Sequence, residues 1–157
     1  MKKQFLLYSF LLISNTAVFS QKRITPAKTP EERLNEAYCT GMFNTIDGTY
    51  FDMLNDNAAI GATSYLNILD WLQGRVAGLQ VYTTKDGDRL AFIRGRQAGI
   101  YVDEMPWYPG SLNALAVSDI AMIKIIKGPF AGGFNNGGGV IAIYTIRGED
   151  EEESDDE

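Results

Sequence analysis

Residues 63–147 are predicted to form a small α/β domain, an α+β arrangement of short helices around a mixed β-sheet. Three observations carry this. The segments 120–126 and 140–146 are apolar on both faces, as central strands covered on either side must be. Residues 78–82 and 89–94 flank Lys85-Asp86-Gly87-Asp88, and Asp-Gly between alternating runs is a strong hairpin signal. A helical run ahead of that hairpin ends at Gly74, the residue type best suited to the position after a helix.

The elements follow in order. Thr29-Pro30-Glu31-Glu32 opens a first helix: Thr29 caps, Pro30 fits the first helical position and Glu32 completes a capping box. That helix is expected to reach Tyr38 or Cys39, with Gly41 near its end. Residues 42–62 contain apolar residues without a sustained period, which reads as turns with room for one short strand. Ser64 is expected to cap a second helix whose Leu66, Ile68, Leu69 and Leu72 face inward. The hairpin comes next, then a third strand over 99–103, closed by Pro106 and the turn Tyr108-Pro109-Gly110-Ser111. A short helix around 112–116 leads into the two apolar strands, where Ile123, Ile125, Val140, Ile141 and Ile143 are expected to form the sheet core.

Both ends of the chain read differently. Lys2 and Lys3, an apolar stretch over 5–13 and Val18-Phe19-Ser20 make the pattern of a secretory signal peptide spanning 1–20. The stretch is short beside the roughly 20 residues of a spanning helix, so no transmembrane segment is expected in the mature chain. Cys39 follows Glu36-Ala37-Tyr38, which is not a lipoprotein signal. Residues 21–62 read as a linker with the short helix, 63–147 as the folded domain, and 148–157 as a disordered acidic tail. The tail has eight carboxylates in its last nine residues, so the body between the ends is formally neutral although the chain carries −6.

Composition excludes much chemistry. Histidine is absent from the 157 residues and Cys39 is the single cysteine. Imidazole proton shuttles, Ser-His and Cys-His nucleophiles, most zinc sites and an internal disulfide all fail on that count. A neutral body with an acidic tail lacks the basic footprint that nucleic acid demands. The glycine-rich run at 128–133 lacks the Gly-Lys-Ser/Thr of a phosphate loop, and Asp86-Gly87-Asp88 offers too few oxygens for calcium. Asp70, Asp103 and Glu104 have no spacing that makes them converge as a catalytic pair. Asp103 or Asp119 is expected instead to neutralise Arg94 or Arg96 at the strand ends. No cofactor, no metal and no catalytic residue is expected.

Five stations over 67–147 resemble, in order, the plug domain of TonB-dependent outer-membrane receptors, especially those importing glycans and other large nutrients. Residues 72–81 read LQGRVAGLQV, carrying Gln73, Gly74, Arg75 and Gly78. Phe92-Ile93-Arg94-Gly95 resembles the IRG strand end, and Ile100 to Asp103 with Met105-Pro106 resembles LYVIDGVP. Residues 119–129, ending Lys127-Gly128-Pro129, resemble DIESIEVLKGP, and Gly138-Gly139 onward resembles GGVINIxT. Glu104 stands where the pattern has Gly, so the turn there is expected to differ. The family places a large barrel after the plug; here Arg147-Gly148 passes into the acidic run, which reads as a plug without a barrel.

What the resemblance implies is an exported, non-enzymatic module in the periplasm or at the periplasmic face of the outer membrane. It would dock a protein partner there or a glycan. The alternative is the plug of a nutrient importer whose barrel is encoded separately. The loops 96–99, 104–111 and 130–137 are the candidates for contact, with Trp107, Tyr108, Phe130 and Phe134 as aromatic anchors.

Overall fold

Thr29 Oγ1 accepts from the Glu32 amide at 3.2 Å, and the Glu32 carboxylate accepts from the Thr29 amide at 2.9 Å. Helix α1 (Pro30–Tyr38) therefore starts in the full capping box its sequence encodes. The structure, a computed structural model, describes residues 27–45, 47–55, 60–127 and 137–148. The signal-peptide region, Gly128, Pro129, Phe130, Phe134 and residues 149–157 lie outside the described residues.

After α1, the short strand read within 42–62 is β1 (Thr49–Asp52). The second helix, α2 (Ile68–Leu72), begins later than expected. Its cap is Asn67, whose Oδ1 accepts from the Leu69 amide at 2.9 Å while its Nδ2 donates to Asn113 at 2.7 Å. Ser64 instead ends a 3₁₀ turn, Ala62–Ser64. Leu66 thus precedes the cap and is 93% exposed, a correction to its inward reading. Gly74 does occupy the position past the helix, at φ +92°.

The hairpin is β2 (Leu79–Thr83) and β3 (Arg89–Ile93), extended by β4 (Arg96–Gln97) into a three-stranded antiparallel sheet. The remaining strands, β5 (Gly99–Val102), β6 (Met105–Pro106), β7 (Ile120–Ile126) and β8 (Val140–Thr145), join β1 in a second sheet ordered β1-β7-β8-β5-β6. That sheet is mixed, because β5 runs parallel to β8 while its other neighbours are antiparallel. Where a helix over 112–116 was expected, a 3₁₀ segment spans Pro109–Ala114, started early by Pro109 in its first turn.

Core assignment turns on one irregularity. Ladder partners shift between Ile120 and Met122, a bulge that leaves Ala121 and Met122 on the same face. Ile120 is thereby moved to the face of Ile123 and Ile125. That face, with Ile141, Ile143, Ile100 and Val102, packs against α2 and the inner residues of the small sheet, Leu79, Ala91 and Ile93. The opposite face carries Tyr101, Met122, Ile126, Val140, Ala142 and Tyr144 against Tyr38, Cys39 and Phe43. Ile123, Ile125, Val140, Ile141 and Ile143 are all fully buried, as expected. Both faces of β7 and β8 are covered, which is why these strands read as continuously apolar.

Candidate functional site

Most of the described motif residues collect around the turn after α2. The Gln73 amide closes the helix on the Leu69 carbonyl, and Arg75 folds back so that Nη1 donates to the Trp71 carbonyl at 2.8 Å. Its guanidinium lies 4.5 Å from the Trp71 ring centroid, a cation–π contact that holds the turn on the core. Two further motif residues flank the same turn: Lys127 Nζ donates to the Ala77 carbonyl at 3.0 Å, and the Arg94 backbone amide to the Gly78 carbonyl at 2.9 Å. Gly95 follows Arg94 with positive φ. Gly139 faces them from the start of β8, where a Cβ would lie 2.6 Å from the Ile126 carbonyl oxygen.

Asp103 and Pro106 are at the other end of β5. Asp103 accepts from the Thr145 amide at 3.0 Å and from its hydroxyl at 2.9 Å, so it ties β5 to β8 rather than neutralising Arg94 or Arg96. The turn keeps the left-handed form without glycine: Asp103 has φ +48° and Glu104 φ +65°. Such conformations are strained for side-chain-bearing residues, and both carboxylates supply offsetting hydrogen bonds. Glu104 takes the Gly41 amide at 3.0 Å and the Met42 amide at 3.2 Å. Asp70 points elsewhere, into an ion pair with Arg89 at 2.6 Å.

Of the aromatic contact candidates, Tyr108 is 67% exposed, its hydroxyl donating to Asp88 at 3.3 Å. Trp107 is half-buried and packs against the main core, with its Nε1 buried and unpartnered. It walls one side of a cavity of about 280 Å³ with Gln97, Ile100, Tyr101, Pro106 and Pro109. Met105, just before, is 60% exposed.

Sequence reading passed over Lys124, the one charged residue in β7. It is fully buried on the second sheet face. Its Nζ donates to Asn35 Oδ1 at 2.5 Å, to the Phe43 carbonyl at 2.6 Å and to the Thr45 carbonyl, and lies 4.9 Å from the Tyr50 ring centroid. Burial holds the amine below the usual lysine range, because the ammonium has lost its water. Burial also pushes the Cys39 thiol and the Tyr144 hydroxyl up, and Tyr50 to about 12. The available signal was register: in the DIESIEVLKGP pattern this position is a glutamate, so a reversed charge stood inside an apolar strand. Its chemistry is that of a hydrogen-bond hub with neutral oxygen acceptors.

Among the described residues no helix is long and apolar enough to cross a membrane. No curated protein matches the chain. Solved structures do, in fold. The RagAB peptide importer in its open-open state shares 22% identity and a TM-score of 0.50, covering 64% of this chain and 12% of that one. The siderophore receptor PirA from Acinetobacter baumannii shares 20% identity and a TM-score of 0.52, covering 77% and 19%. A mutant of the ferric enterobactin receptor PfeA from Pseudomonas aeruginosa shares 19% identity and a TM-score of 0.50, covering 64% and 17%. The chain thus spans less than a fifth of the length of these proteins. The family model described as the TonB-dependent receptor plug domain matches residues 55–149, well over half the chain, and the protein belongs to that family.

Proposed function

We propose that this plug domain acts as an exported docking module, without catalysis of its own, at the periplasmic face of the outer membrane. A plug is a transport-related part, and the family is one of receptors rather than enzymes. The observation that carries the reading is the exposure of Tyr108 and Met105 on the loop beside the Trp107-walled cavity. Large rings and thioethers left in water at a loop tip suit a partner's surface better than they suit solvent. Trp107, packed against the core, positions that loop, and Tyr108 makes the contact.

The partner we favour is a protein at the outer membrane, a receptor barrel among the candidates, because the family is that of TonB-dependent receptor plugs. A glycan is the second reading, favoured by the resemblance to receptors of the glycan-importing kind. The test is a pull-down from envelope extract with wild-type protein and Tyr108→Ala. Capture of a barrel by the wild type, with loss in a variant of unchanged melting temperature, supports docking. Equal capture by both proteins overturns the assignment of this loop.

A further inference from the structure

Three charged side chains reach the same stretch of chain from three places in the domain, and all three grip its main chain. Arg147, just after β8, donates from Nη1 to the Ala37 carbonyl at 2.9 Å and from Nη2 to the Tyr38 carbonyl at 3.4 Å. Glu104, in the β5–β6 turn, holds the Gly41 and Met42 amides. Lys124, in β7, holds the Phe43 and Thr45 carbonyls and the Asn35 side chain. The stretch makes no ladder with the sheet; its own backbone bonds are local, such as Cys39 amide to Asn35 carbonyl at 2.9 Å. It ends before β1 and lies ahead of the family-matched region.

We propose that residues 29–45 form a releasable strap over the second face of the five-stranded sheet, fastened by Lys124, Glu104 and Arg147. Two opposing terms set it up. The strap's oxygens are what satisfy the buried Lys124 ammonium, and three charge-assisted bonds hold it strongly. Yet an ammonium inside an apolar face is poorly solvated, and opening the strap returns it to water. Opening therefore removes a desolvation cost that global unfolding would also remove, while leaving the β7–β8 ladder intact. The open state bares an apolar face of Tyr101, Met122, Ile126, Val140, Ala142 and Tyr144 with a single amine at its centre. Elements with far fewer ladder bonds than the core open at lower free energy than the whole domain.

Cys39, the sole cysteine, belongs to the strap, is 1% exposed against the sheet face, and reports the strap's opening without any added label site. The experiment is reaction of the native, full-length chain with a maleimide across low urea concentrations. Labelling is expected with a shallow urea dependence, well below that of global unfolding followed on the same sample. Glu104→Gln at a half-exposed position and Arg147→Ala at an exposed one should each speed labelling roughly tenfold, the loss of about one charge-assisted bond. Amide exchange at Ile141 and Ile143 should stay at the wild-type rate in both. Labelling that tracks global unfolding, variants that leave its rate unchanged, or a parallel rise at Ile141 and Ile143 would each overturn the strap. A Lys124→Gln variant adds the central fastener where it folds, and the two surface variants decide the matter where it does not.

Discussion

A Cβ on Gly138 would stand 2.1 Å from the Gln97 carbonyl oxygen and 2.5 Å from that of Arg96. The backbone of β4 therefore lies directly against the approach to β8, and only hydrogen fits between them. Gly138→Ala must push two backbones apart, with an overpacking cost of about 1–3 kcal/mol or more. Thermal denaturation should show it as a melting point lower by roughly 4–8 °C for each kcal/mol. An unchanged melting point would mean that this crossing is looser than the geometry says.

Ile141 and Ile143 sit on the same face of β8 and are both fully buried against α2 and the small sheet. Truncation of either to Ala should cost about 2–5 kcal/mol, a large share of the roughly 5–15 kcal/mol of a whole domain. Urea unfolding measures this, and an unmoved midpoint would contradict the sheet register.

Lys124 gives a pH prediction with a definite sign. Its folded value lies below the ordinary 10.5, so the unfolded chain holds this proton more tightly than the fold does. Stability from this group therefore rises with pH, from the folded value up to 10.5. Cys39 and Tyr50 act oppositely, their contributions being lost above 9.0 for the thiol and between 10.0 and about 12 for the phenol. Comparing wild type with Lys124→Met isolates the amine. The stability difference, wild type minus variant, should grow in the wild type's favour from pH 7 toward pH 10. A difference that does not change with pH would show an amine of ordinary basicity.

Export is a proposal from the first twenty residues, with cleavage after Ser20. Intact mass of protein recovered from the periplasm should correspond to a chain beginning near Gln21. Recovery there with Met1 in place would rule out the signal peptide.

How far the sequence could be read depended on whether a residue's neighbours in the chain decide its fate. Gly74, the capping box at Thr29 and the Asp86-Gly87 turn are local devices, and each stands where the letters put it. Strands β7 and β8 were plain because burial on both faces leaves an unbroken apolar run. Leu66 was misplaced because Asn67 and Ser64 are both competent caps, and a partner 46 residues away, Asn113, favours Asn67. Charge alone points to Asp103 or Asp119 as an arginine partner, but Thr145 offers Asp103 two donors and Ser118 offers Asp119 one, and neither pairs with Arg94 or Arg96. The contact loop was legible only in part, since whether Trp107 or Tyr108 faces water is set by the core behind them. Lys124 was hidden for the opposite reason to β7: its partners, at 35, 43 and 45, lie some 80 residues away and are mostly main-chain atoms.

The order of strands also governs how the chain can assemble. Among the described strands β8 comes last in the sequence, yet it lies in the middle of the large sheet, paired on one side with β7 and on the other with β5. Before residue 145 emerges, β5 has no partner among the described strands but the two-residue β6, and β7 none but β1, seventy residues upstream. What can form early is the β2–β3 hairpin, which alone is marginal in water. Closure of the large sheet thus waits for β8 and depends on distant pairings, the slow kind. A chain built this way has no finished core, and remains threadable, until Val140–Thr145 has been added.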